Sequence, residues 1–256
     1  MGNPQLKAGL PEEAASGSGS GLVGASVSFA PQVLLKGLLV TVAVLVSLGI
    51  AAHVLRFGFG FETALGFITL FDLNGEANIP TWFTSALMAS CSLSLGLIAL
   101  AKRAEKDSWV THWAVLGALF MLMSVDEIVQ VHERFMHLIH HFVQTGGLLT
   151  NAWVILAFVL LPVLGAYYFR FLLALPRRAC VLFVISGTVY VSGVVGVEMI
   201  SGLMKSEYGF GSLAFAISST VEESLELIGL SLFAWSLADY VMREKLVWKF
   251  SVSTFE

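Results

Sequence analysis

Long apolar runs broken by short polar interruptions organise this chain. Six segments, about 33–54, 82–101, 109–132, 152–174, 179–203 and 213–240, each hold the roughly 20 mostly apolar residues that a helix needs to cross a bilayer core. The interruptions carry helix breakers or polar clusters: Asn78-Ile79-Pro80, Lys102 to Ser108, Gly146-Gly147, Pro176, and Tyr208 to Ser212. No internal repeat is evident. The pattern predicts an all-α bundle of six transmembrane helices.

Composition closes off the alternatives. The 256 residues are 57% apolar and 12% charged, with a mean hydropathy of +0.83, against roughly 45–50% and about 25% in a soluble domain. A disordered chain is excluded by the same numbers. Nucleic acid is not an expected partner, because net charge is −4 and no basic cluster exceeds three residues. Residues 1–30 hold Glu12, Glu13 and a Gly/Ser run from Ser16 to Gly21, with no compact apolar stretch before a cleavage site, and read as a flexible tail. Residues 31–243 form the membrane domain and 244–256 a second tail. Cys91 and Cys180 fall at different membrane levels, so no disulfide is expected between them.

Lys and Arg set the expected orientation. With the N-terminus inside, Lys7, Lys36, Lys102, Arg103, Lys106, Arg170, Arg177, Arg178, Arg243, Lys245 and Lys249 share one side, 11 of the 14 basic residues, and Arg56, Arg134 and Lys205 take the other. Both termini are therefore expected in the cytoplasm. Of 18 acids, seven lie inside and 11 outside, which leaves the outer half at −8 and the inner half at +4. Trp82, Trp109 and Trp153, near helix ends, fit an interfacial belt.

Six of the outer acids lie inside apolar spans: Asp126 and Glu127 in the third, Glu198 in the fifth, and Glu222, Glu223 and Glu226 in the sixth. An ionised carboxylate in hydrocarbon costs several kcal/mol or more. At about 1.5 Å per residue, Glu198 is expected about 8 Å from the outer end of its helix, Asp126 and Glu127 about 8 Å, and Glu222 and Glu223 about 14 Å. The depths match well enough to predict convergence on one site. Helical phase agrees: Asp126, Gln130, Glu133, His137 and His140 follow steps of four and three along one stripe, Glu222 and Glu226 share a face with Ser219, and Glu198 shares one with Ser201.

Like charges this close in a low-dielectric interior do not all ionise; protons or a cation compensate them. Neither lysine nor arginine sits at that depth, and Arg134 and Lys205 lie nearer the surface. The candidate metal ligands are Asp126, Glu127, His132, Glu133, Glu198, Glu222, Glu223 and Glu226, with His137, His140, Asp72, Glu76 and Asn78 behind them. Mixed carboxylate and imidazole suit Fe, Mn or Zn, and carboxylate with carbonyl suits Ca or Mg. The bland alternative is a set of neutral carboxylic acids bonded to Ser124, Ser201 or Ser219 as interhelical glue, with His53 and His112 as ordinary helix-end histidines. A ferritin-like di-metal bundle would supply Glu-x-x-His pairs, and none occurs. Glu222-Glu223 is similar to the Glu-Glu-x-x-x-Arg motif of intramembrane prenyl-protein proteases, but Leu227 stands where the arginine belongs.

Between the first two spans, Asp72, Asn74, Glu76 and Asn78 alternate around Gly75. A loop wrapping a hard cation has that pattern, and so does a plain Asn-Gly turn. The acidic run resembles that of alkaline ceramidases, whose zinc needs late-helix histidines that the last three spans lack. More broadly, Asp72-x-x-x-Glu76-x-Asn78-Ile79-Pro80-Thr81-Trp82, Ser124-x-Asp126-Glu127-x-x-x-x-His132-Glu133 and Glu222-Glu223-x-x-Glu226 resemble a group of uncharacterised bacterial multi-span membrane proteins. The resemblance implies no activity. The expected location is a bacterial inner membrane. The expected function is binding of a divalent metal ion or protons at the outward-facing cluster, for transport or sensing. The alternatives are a metal-dependent membrane enzyme acting on a lipid or quinone and an accessory subunit docked to partner subunits in a larger membrane complex.

Overall fold

Apolar length dictates the helices, and Pro, Gly and short polar caps decide where they stop. The computed structural model describes residues 30–131 and 145–246. Among them no strand occurs, and the helices are α1 (Pro31–His53), α2 (Phe67–Phe71), α3 (Ile79–Ala104), α4 (Val110–Val129), α5 (Trp153–Ala174), α6 (Arg177–Val191), α7 (Glu198–Tyr208) and α8 (Leu213–Arg243). A π-helical turn, Val54–Gly58, continues α1, and a second, Ser192–Val197, joins α6 to α7. Six stretches are long and apolar enough to cross a membrane: Pro31–Gly58, Ile79–Ala104, Val110–Val129, Trp153–Ala174, Arg177–Tyr208 and Leu213–Arg243. These are the six expected spans. The expected tails lie outside the described residues, apart from Ala30 and the stretch 244–246.

Several boundaries shift by two to five residues from expectation, and two of the shifts have a clear local reason. The fifth span continues past 203 to Tyr208 and ends at Gly209, whose φ of 87° is open to glycine. The third stops at Val129: Gln130 turns left-handed (φ 59°, ψ 44°) and donates its N–H to the Asp126 carbonyl. Gln130 therefore leaves the helical phase, and the expected continuous stripe from Asp126 is interrupted there.

The long α8 is the centre of the bundle, packed against α1, α3, α6, α7 and the second π turn, while α3 lies along α4. Lipid is as apolar as leucine, so helices in a bilayer associate through close packing and buried hydrogen bonds. Both devices are present. Ser85 and Ser124 each donate to the other's carbonyl oxygen, at 2.8 and 2.9 Å, and Ser92 donates to the Gly117 carbonyl at 2.7 Å. An aromatic core of Trp113, Phe171, Phe183, Phe233 and Tyr240 fills the half of the bundle away from the acids. At that far end Asp239 of α8, 5% exposed, accepts from Arg178 of α6 and Arg243, each at 2.9 Å. Cys91 and Cys180 are both free thiols.

At Gly229, α8 comes so close to α6 that an added Cβ would lie 2.5 Å from the Tyr190 backbone nitrogen. Gly229→Val is expected to cost about 1–3 kcal/mol by forcing the helices apart. Gly165→Ala on α5, with open space around the new methyl, is expected to be neutral or to gain up to about 1 kcal/mol. Thermal unfolding of the detergent-solubilised chain measures both.

Candidate functional site

The acids of three spans meet at one end of the bundle, where α1, α4 and α7 finish and α3 and α8 begin. Glu222 is nine residues into α8 and Glu198 ten residues before the end of α7, which at 1.5 Å per residue places each about 14–15 Å from its helix end. The longer fifth span thus puts Glu198 deeper than expected and level with Glu222.

Their side chains touch. The Glu198 and Glu222 carboxyl groups lie within hydrogen-bonding reach of each other, and an ionised carboxylate has no hydrogen to give. Such a contact holds only while one of the two carries a proton. Each carboxyl is also met by a neutral donor: Trp153 Nε1 donates to Glu198 Oε1 at 2.9 Å, and Ser201 Oγ, from a side chain 1% exposed, donates to Glu222 Oε2 at 2.6 Å. Glu222 itself is 9% exposed.

The second π turn makes this approach possible. Its extra residue per turn sits directly before Glu198, as π turns often do at functional sites. Gly193 in that turn lies so close to α8 that a Cβ there would stand 2.9 Å from both the Glu222 carbonyl oxygen and the Glu226 Cγ. Any larger residue would push Glu198 away from its partner.

Two further acids of α8 surround the pair. Glu223 lies within electrostatic reach of Glu127, Glu198 and Asp72, and Glu226 within reach of Glu223, Glu127 and Glu198. Glu127 thus brings α4 to the cluster, and Asp126 stands within reach of the phenol of Tyr190 on α6, as do Glu127, Glu223 and Glu226. Among the described residues no lysine or arginine comes within ion-pair distance of Glu198, Glu222, Glu223 or Glu226. Nor, among those residues, do three His, Cys, Asp or Glu side chains stand together as a metal ion requires. His132, Glu133, His137 and His140 lie outside the described residues.

The outer loop sits beside the cluster as a closed turn. Gly75 N donates to the Asp72 carbonyl at 2.9 Å and Asn74 N to Asp72 Oδ1 at 3.2 Å, the Asx geometry of an Asn-Gly turn. Asn78 caps α3, its Oδ1 accepting from Thr81 N at 3.0 Å and its Nδ2 donating to the carbonyls of Asp72 and Gly75 at 2.7 and 2.8 Å. Glu76 is exposed. Ser219 donates to Asn74 Oδ1 at 2.7 Å, which fastens the loop to α8, and Arg56 reaches Asp72 Oδ2 at 3.5 Å.

Three participants carry no signal of their role in the sequence. Trp153 reads as a belt residue, yet its indole serves Glu198. Tyr190 carries no sequence signal beyond its place in an apolar span. His53 reads as an isolated helix-end histidine and instead bonds Thr220 of α8 at 3.2 Å.

The model of the family described as "Domain of unknown function (DUF8692)" matches residues 37–240, and the chain belongs to that family. No curated protein and no solved structure matches the chain. The matched stretch takes in every helix that contributes to the cluster.

Glu222→Gln keeps a neutral donor beside Glu198 and is expected to unfold within about 1 kcal/mol of the parent, whereas Glu222→Ala strands Glu198 and Ser201 and is expected to cost about 1–3 kcal/mol. Thermal or denaturant unfolding in detergent distinguishes the two; equal losses would mean that the pair is not joined by a proton.

Proposed function

We propose that this protein is a proton-binding membrane protein, placed in a bacterial inner membrane with both termini cytoplasmic, whose outward-facing carboxylate cluster loads and releases protons for transport or sensing. The Glu198–Glu222 contact carries the reading. A proton is the smallest charge able to join two carboxyls, and it needs no ligand sphere. Glu223 and Glu226 supply neighbouring acceptors on the same helix, so a proton arriving at the pair has somewhere to go. The charge pattern of the chain, acidic at the site end and basic at the other, supports the orientation. A divalent cation, Fe, Mn, Zn or Ca, is the competitor for the same charges.

The test combines infrared spectroscopy with elemental analysis of the purified full chain. The parent is expected to show a carboxylic-acid C=O band near neutral pH that loses a component in the Glu198→Gln/Glu222→Gln double variant, and no stoichiometric metal. A stoichiometric divalent metal in the parent that disappears in the double variant would overturn the reading in favour of a metal centre.

A further inference from the structure

His53 closes α1 at the level of the outer loop, with its ring half-buried between that loop and α8. Its Nε2 lies 3.2 Å from Thr220 Oγ1. The one proton of the Thr220 hydroxyl is committed to the Ala216 carbonyl at 2.8 Å, so in the contact with His53 the hydroxyl accepts and Nε2 donates. The neutral ring then presents Nδ1 as a bare lone pair, and Nδ1 is buried with no hydrogen-bond partner among the described residues. Leaving a buried acceptor unmade costs free energy, and an imidazole nitrogen with a free lone pair is a proton acceptor by its chemistry.

Its surroundings give it a direction. The charged groups facing the ring are Asp72 from the loop and Arg56 from its own π turn, themselves 3.5 Å apart with the Arg56 side chain 42% exposed. On the far side, Thr220 precedes Glu223 by three residues, neighbours on one face of α8. Glu223 lies within electrostatic reach of both Asp72 and Glu198. His53 thus stands between a surface ion pair and the first acid of the buried cluster.

We propose that His53 is the residue through which protons enter the cluster. Nδ1 takes up a proton from the Arg56–Asp72 side. Nε2 gives one to the Thr220 oxygen as that hydroxyl passes its own proton to Glu223. The ring is left in the other tautomer, with its proton on Nδ1, so in the transfer one proton enters, one leaves and no electron moves. The inference rests on the proton-binding reading of the carboxylates.

Time-resolved infrared spectroscopy after a pH jump, on the full chain in detergent, tests it by following the carboxylic-acid C=O band. His53→Gln keeps a donor for Thr220 but has no basic nitrogen, and is expected to slow the response at least tenfold with its final amplitude unchanged. Thr220→Val is expected to slow it likewise and guards against a His53 variant that fails to fold. His53→Ala is expected to be slow and to recover when imidazole is added, which a purely structural histidine would not do. Rates within twofold of the parent in His53→Gln and Thr220→Val, with the band responding normally, overturn the inference and leave the carboxylate reading intact. A parent protein without any band response overturns both.

Discussion

The close approach of two glutamate carboxyls in a greasy interior is the constraint on which the site depends. Ionised, the pair would combine the desolvation of two carboxylates with their mutual repulsion, and no basic side chain among the described residues comes close enough to offset either. Sharing one proton removes most of both penalties and turns the repulsion into a bond. The neutral donors Trp153 and Ser201 then complete the coordination of each carboxyl without adding a charge. A lysine in either place would have fixed the pair as a permanent ion pair; an indole and a hydroxyl add no charge.

The rest of the bundle holds that arrangement in place. The Arg178–Asp239–Arg243 cluster pins α6 to α8 at the far end, Gly229 lets the two helices touch in the middle, and Gly193 in the π turn brings α7 against α8 at the site. An uninterrupted helix would change the rotation of Glu198 about its axis, since the π turn carries more residues per turn than an α turn. The outer loop, tied to α8 through Ser219 and to α1 through Arg56, lies beside the acids with groups that hydrogen-bond and carry charge. Compared with simple interhelical glue, the site is oversupplied: one carboxyl and one serine would join α7 to α8, yet three helices and the loop bring acids within electrostatic reach.

The spans were legible because their signal is length and apolarity, which nothing in tertiary packing overrides. The meeting of Glu198, Glu222, Glu223 and Glu226 was legible because carboxyl groups in hydrocarbon are too costly to be scattered, and the helical phase that groups Ser201 with Glu198 pointed to a hydroxyl Glu222 uses. The continuation of the Asp126 stripe failed at Gln130, because a single left-handed residue resets the phase and no composition rule announces it. The π turn was equally hidden, although Gly193 and Gly196 just before Glu198 are a weak trace of it. The roles of Trp153 and His53 are not legible locally, because they come from partners 45 and 167 positions away in the chain.

The central claim is that two carboxyl groups from separate helices meet and share a proton. Solid-state NMR of the full chain in lipid bilayers, with glutamate side chains labelled with carbon-13 and assigned through Glu198→Gln and Glu222→Gln, tests it most directly. The account predicts a through-space cross-peak between the two carboxyl carbons, with at least one at the shift of a protonated acid near neutral pH. Two fully ionised carboxylates, or no cross-peak between them, would contradict it.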